Sequence, residues 1–330
     1  QIVFSKEYGG VGNEDGRWVE QMPDSGFIMV GRSDTYSNGQ SDAWVVRTDA
    51  YGNIMWTKSY GGTEFDFGNM IRITSDGGFI IAGFTNSYGA GGNDAWLIKT
   101  DVLGNIQWQK TFGNSDLQEF EAVIQTADGG YAALGINYGA GTAYYDFYLV
   151  KVDSAGNTEY TKNIGGGGYE IGNSIQQTPD GGFILAGQSY SYAAEDGDFY
   201  MVKTDNLGNV QWYKNYANAG LQECHHVQNV PGGGFVLVGD ADQLPNGLGD
   251  TDVWLIKTDD TGNILWDRAL GGTKKDGGKT VENTLDGGFV IAGITRSFGL
   301  INPNYYLVKT DYDGIIEWQT SSYGSSHHDH

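Results

Sequence analysis

The 330 residues carry 19 Lys and Arg against 41 Asp and Glu, a formal charge of −22, with 53 glycines, 13% aromatic residues and one cysteine. That charge excludes nucleic acid and anionic lipid surfaces as partners, since both need faces rich in Lys and Arg, and a lone Cys224 excludes an internal disulfide framework. No apolar run approaches the ~18 residues of a membrane-spanning helix, and 18% charged with 39% apolar residues is the balance of a folded chain.

In chain order, the sequence starts at Gln1 rather than Met, is acidic and Lys-poor, and has no Asn-x-Ser/Thr sequon. These features predict a mature secreted or cell-surface protein of bacterial or archaeal type, its signal peptide removed. Residues 2–10, Ile2-Val3-Phe4-Ser5-Lys6-Glu7-Tyr8-Gly9-Gly10, read as a strand. The pattern that follows is clearest over residues 69–112. Met70-Ile71-Arg72-Ile73-Thr74 is a short β-branched strand. Asp76-Gly77-Gly78 is a tight turn, and Phe79-Ile80-Ile81-Ala82-Gly83 is apolar on both faces, as a buried strand should be. A longer loop over residues 85–93 leads to Ala95-Trp96-Leu97-Ile98-Lys99-Thr100; Asp101-Val102-Leu103-Gly104-Asn105 turns the chain again, and residues 106–112 form a fourth strand.

This unit recurs. The acid before the third strand falls at Asp42, Asp94, Asp146, Asp198 and Asp252, with Asn304 at the sixth place, in steps of 52, 52, 52, 54 and 52. The turn glycines Gly52, Gly104, Gly156, Gly208, Gly262 and Gly314 keep the same steps. Six copies of a four-stranded meander predict an all-β, six-bladed β-propeller, because a lone four-stranded sheet leaves apolar faces wet and stacked blades cover them. One propeller domain over residues 1–324 follows, with a tail at 325–330.

The consensus D-G-G-F-I-I-A-G, then D-A-W-L-I-K-T-D-x-x-G-N-I-x-W-x-K and an aromatic with G-G, resembles the repeat of secreted or surface proteins of bacteria and archaea. The resemblance covers almost the whole chain and implies a β-propeller with an extracytoplasmic address. It implies no single activity and no catalytic residues.

Several repeated residues have two readings. Asp49, Asp101, Asp153, Asp205, Asp259 and Asp311 begin the second hairpin turn, as oxygen donors to calcium or as Asx-turn residues bonding their own backbone. No other cofactor is expected. Arg47, Lys99, Lys151, Lys203, Lys257 and Lys309 occupy one repeat position, and Lys6, Lys58, Lys110, Lys162, Lys214 and Arg268 another; both sets are expected to neutralise repeated acids. On the long loops, Tyr36, Tyr88, Tyr138, Tyr190 and Phe298 either wedge between blades or form a platform for sugar rings. Glu223-Cys224-His225-His226 breaks the pattern: Cys224 replaces a repeated glycine, and alternation sends His225 and His226 to opposite faces. Cys224 and His225 are weak metal candidates beside a purely structural reading.

Catalytic machinery is thin. Three of the five histidines lie in the terminal tail, Gly165-Gly166-Gly167-Gly168 precedes a strand rather than a helix, and the acids Glu195, Asp196 and Asp198 recur with the blades. A non-catalytic structural or interaction module is expected, ahead of a carbohydrate-binding propeller and a glycan-active enzyme. Finally, Trp56, Trp108, Tyr160, Trp212, Trp266 and Trp318 mark six fourth strands, and Phe4 lies 52 residues before Trp56. Residues 2–10 are therefore a seventh fourth strand. With Ile316 and Trp318 in the last blade already, Ile2, Phe4 and Tyr8 serve either ring closure or docking on another copy, which would build a filament.

Overall fold

The computed structural model describes residues 4–139, 144–192, 196–299 and 303–321; Ile2, Glu195 and the tail at 325–330 lie outside the described residues. The described residues form 24 strands and no helix. They make six four-stranded antiparallel sheets, each in sequential order, the blades of a β-propeller. Packing divides the chain into two compact units, residues 1–163 and 164–330.

The first unit holds three blades. The first comprises β1 (Glu14–Gln21), β2 (Phe27–Ser33), β3 (Asp42–Thr48) and β4 (Ile54–Tyr60). The second is β5 (Asp66–Ile73), β6 (Phe79–Thr85), β7 (Asp94–Thr100) and β8 (Ile106–Phe112). The third is β9 (Gln118–Gln125), β10 (Tyr131–Tyr138), β11 (Tyr145–Val152) and β12 (Thr158–Ile164). Every residue of β3 and β7 is buried, whereas β4 and β8 are largely exposed. Continuous apolar runs are what a strand covered on both faces requires. Ile28, Val30 and Val45 of the first blade pack with Ile71, Phe79 and Ile81 of the second in one cluster.

The second unit repeats the plan. Its first blade is β13 (Glu170–Gln177), β14 (Phe183–Ser189), β15 (Asp198–Thr204) and β16 (Val210–Tyr216). Next come β17 (Gln222–Asn229), β18 (Phe235–Asp242), β19 (Thr251–Thr258) and β20 (Ile264–Leu270). The last is β21 (Asp276–Asn283), β22 (Phe289–Thr295), β23 (Asn304–Thr310) and β24 (Ile316–Ser321).

Two local devices recur in both units. The first strand of each blade carries a bulge whose extra residue is skipped in the ladder: Arg17, Asn69, Glu121, Asn173, His225 and Lys279. Opposite it the second strand has glycine. A Cβ at Gly83 would lie 1.9 Å from the Phe67 carbonyl oxygen, which explains the A-G that closes the strand motif. The Asp-Gly-Gly turn is pinned by a buried base: Lys99 Nζ lies 2.8 Å from Asp76 Oδ2, and Arg47–Asp24, Lys151–Asp128, Lys203–Asp180 and Lys309–Asp286 repeat the pair. Burial works against the Asp76 charge, yet Lys99, Thr74 and the Gly78 amide hold the carboxyl at about 2.

The fifth blade departs from this, having Val230-Pro231-Gly232 at its turn; buried Lys257 instead lies 4.6 Å over the Tyr312 ring. The second basic set reaches its acids at one remove. Lys6, Lys58 and Lys214 donate to the amides of Asn53, Asn105 and Asn263, and the Lys6 and Lys58 charges add to the turn bonds that hold Asp49 and Asp101 below their ordinary values. One expectation needs correcting: residues 4–10 form no strand ladder.

Candidate functional site

A fourth strand has two jobs, pairing with the third strand of its blade and packing on the next blade. In the first unit, β4 directs Trp56, Lys58 and Tyr60 at its neighbour. Trp56 meets Phe79 edge to face at 6.0 Å, Lys58 Nζ donates to Asn105 Oδ1 at 3.4 Å, and the Tyr60 hydroxyl donates to the Gly104 carbonyl at 2.7 Å. Beyond the strand, Gly62 N donates to Asp66 Oδ2 at 2.8 Å, and the Tyr88 hydroxyl donates to the Gly61 carbonyl at 2.8 Å. The second unit reuses the set, with Trp212 on Phe235, Lys214 on Asn263 and Tyr216 on the Gly262 carbonyl.

Residues 4–10 reproduce all five contacts on the first blade. Phe4 meets Phe27 edge to face at 5.9 Å, Lys6 Nζ donates to Asn53 Oδ1 at 2.5 Å, and the Tyr8 hydroxyl donates to the Gly52 carbonyl at 2.8 Å. Gly10 N donates to Glu14 Oε2 at 3.1 Å, and the Tyr36 hydroxyl donates to the Gly9 carbonyl at 3.1 Å. Among the described residues the segment nevertheless makes no backbone–backbone hydrogen bond. The 52-residue offset aligns Lys6, Gly9 and Gly10 with Lys58, Gly61 and Gly62, which brings Gly9 and Gly10 into the site beside Phe4, Lys6 and Tyr8.

At the other end, β24 is laddered to β23 from Ile316 to Ser321. Ile316 is as exposed as its counterparts Ile54 and Ile264, but Trp318 is 46% exposed while Trp56, Trp212 and Trp266 are half-buried. Thr320 stands where the other copies have Lys or Arg.

Each long-loop aromatic meets a ring of its own repeat. Tyr36 stacks on Trp44 at 5.1 Å, Tyr88 leans on Trp96, Tyr138 on Tyr145, Tyr190 on Tyr169 and Phe298 on Tyr306. Tyr36 and Tyr88 also spend their hydroxyls on the glycine carbonyls above. The turn acids behave as Asx-turns: Asp101 Oδ1 accepts from Leu103 N and Asn105 N, and its Oδ2 accepts from Asn105 Nδ2.

Cys224 and His225 part company. Cys224 is fully buried in the apolar cluster of Phe199, Val227 and Trp254, and burial pushes its thiol well above the usual range. His225, as the bulge residue, turns the other way and gathers Glu223 and Asp240. Lys279 fills that group: its Nζ lies 2.7 Å from His225 Nε2 and 2.8 Å from Asp240 Oδ2. Burial opposes the Asp240 charge, but His225 and Lys279 outweigh it and hold the carboxyl below its ordinary value. His226 points into the blade packing, 3.1 Å from the Val281 carbonyl.

No protein-family model matches the chain, and no curated protein does. Solved structures do. The β-propeller domain of the trilobed protease from Pyrococcus furiosus, described as having an open velcro topology, is 11% identical with a TM-score of 0.51, over 94% of this chain and 84% of that one. Sqt1 from Chaetomium thermophilum is 12% identical with a TM-score of 0.52, over 93% and 71%. A polysaccharide lyase of the ulvan lyase family PL25 is 9% identical with a TM-score of 0.56, over 92% and 81%. At these identities the likeness is one of fold.

Proposed function

We propose that the chain is a secreted or surface interaction module that assembles with other copies of itself through its terminal strands, in the limit as an extracellular filament. The observation that supports this is the segment at residues 4–10, which has every packing contact of a fourth strand and none of its ladder. Its backbone donors and acceptors pair with no backbone group of another described residue and would suit a strand edge of another copy, since β-strand addition draws its affinity from such main-chain bonds. A joint of this kind is head to tail, so it propagates unless the rotation closes.

The test is deletion of residues 1–10. Wild-type protein should show large species on a sizing column and by electron microscopy, and the truncated protein a folded monomer. Unchanged assembly after deletion sinks the proposal, as does a wild-type protein that stays monomeric at high concentration.

A further inference from the structure

Where the third strand of one blade faces the first strand of the next, two acidic positions meet. Asp42 opens β3 and Asp66 opens β5, and both are 0% exposed. A Cβ on Gly61 would lie 2.3 Å from Asp42 Oδ1 and 2.6 Å from Asp66 Oδ2. Two oxygens that near one point are less than about 5 Å apart, within the span of two calcium–oxygen bonds of about 2.3–2.6 Å. Asp66 is surrounded by donors: Gly62 N at 2.8 Å, Ser87 Oγ at 2.6 Å, Thr85 Oγ1 and Ser87 N. Asp42 Oδ2 accepts from Asn38 N at 2.9 Å, but its Oδ1 is buried with no hydrogen-bond partner. Such an orphaned carboxylate oxygen beside a second carboxylate is costly unless a positive charge reaches it.

Two other blades serve as internal controls. The equivalents of Asp66 at the Asp94 and Asp198 sites are Gln118 and Gln222, so one of the two charges is missing there. At Asp198, moreover, Asn215 Nδ2 donates to Oδ2 at 2.5 Å, and Ala217 stands in place of Gly61, adding a methyl group at that position. The acid pair returns in the second unit as Asp252 and Asp276, 1% and 2% exposed. Glycine returns with it: a Cβ on Gly271 would lie 2.8 Å from Asp252 Oδ1 and 2.6 Å from Asp276 Oδ2. At the Asp94 site the position is still glycine: a Cβ on Gly113 would lie 2.5 Å from Asp94 Oδ1 and 2.4 Å from Gln118 Oε1, so the oxygens approach alike and the second carboxylate is what sets the charge apart.

We propose that Asp42 with Asp66, and Asp252 with Asp276, each hold one calcium ion between adjacent blades. Carboxylate oxygens are hard donors suited to calcium, and calcium accepts irregular geometry where magnesium demands an octahedron. Burial above all raises the Asp252 carboxyl above its usual range, against the Gly249 amide and with a contribution from Asp276; burial likewise leads for Asp42, against the Asn38 amide and with Asp66 adding to it. A bound dication would reverse both effects.

Full-length protein stripped with chelator and titrated with calcium chloride in a calorimeter decides the matter, with terbium luminescence as a second readout near Tyr88. Wild type should take up two ions per chain and melt at a higher temperature with calcium than with chelator. Asp66→Gln and Asp276→Gln, each copying the residue used in other blades, should remove one ion apiece, and the double variant should bind none while keeping its far-ultraviolet circular dichroism. Gly61→Ala should remove the first-unit ion without changing charge. A wild type that binds no calcium overturns the proposal, as does undiminished stoichiometry in the folded double variant.

Discussion

Residues 4–10 and Ile316–Ser321 are two copies of one strand, and each keeps the interactions that the other lacks. The first packs Phe4, Lys6 and Tyr8 on a blade and forms no ladder; the second forms a ladder and leaves Trp318 exposed. Within the units, β4 and β16 do both at once. The pairing and packing roles of the repeat are therefore separable, and the chain displays each of them alone.

The sharpest way to break this comparison is by truncating the marker aromatic in all three settings. Trp56→Ala, which loses packing from a laddered strand, should cost about 2–4 kcal/mol. Phe4→Ala should cost about 1–2 kcal/mol, because a segment without a ladder detaches rather than leaving a cavity. Trp318→Ala should stay within about 0.5 kcal/mol, the range of surface substitutions. Urea unfolding followed separately for each unit by hydrogen exchange measures these values, and a Trp318→Ala cost equal to that of Trp56→Ala would end the distinction. A single-contact variant isolates one bond: Tyr8→Phe removes the hydroxyl bond to Gly52 and should loosen residues 4–10 by about 1 kcal/mol, read by nuclear magnetic resonance relaxation as increased motion of that segment and nowhere else.

Acid should give the smallest effect and sharpen the contrast. At the β24 end, Lys309 bridges Asp286 and Glu317, and the bonds from Thr284, Lys309 and Gly288 hold the Asp286 carboxyl at about 2. A depressed folded-state value stabilises fully above the unfolded value near ~3.9, and that stabilisation is lost as pH falls through about 2. Amides of the last hairpin should therefore lose protection over that window. Lys6 meets a neutral amide and is the least of the groups, after the Asn53 and Tyr51 bonds, that hold Asp49 below its ordinary value, so the contact between Lys6 and Asn53 should show the weaker acid step. Equal acid sensitivity of the two contacts, measured by nuclear magnetic resonance on Lys6→Met and Lys309→Met backgrounds, would remove the contrast.

Much of the fold was legible because its physics is local and repeated. Alternating and continuous apolar runs place the strands, and glycine with Asp at fixed offsets places the turns. A buried Lys99 opposite Asp76 follows from two residues that recur together. What could not be read are events between residues far apart in sequence. Nothing local says that residues 4–10 dock without pairing, since the same residues suit a laddered strand. Asp42 and Asp66 are 24 residues apart and belong to different blades, so their approach needs the bulge, the twist and Gly61 together. The partnership of His225 with Lys279 rather than with Cys224 likewise depends on a bulge that turns one side chain away from its neighbours.

That bulge has a wider consequence. Its extra residue lies outside the ladder, opposite a glycine, so the ladder itself does not depend on which side chain it bears. Evolution has filled the six places with a guanidinium, a carboxyl, an imidazole, an ammonium and two amides, and two of those amides, on Asn69 and Asn173, clasp the carbonyls of Phe120 and Cys224 on the next blade. The chain thus carries six addresses at which new chemistry can be written by point substitution, while the frame that presents them stays as it is.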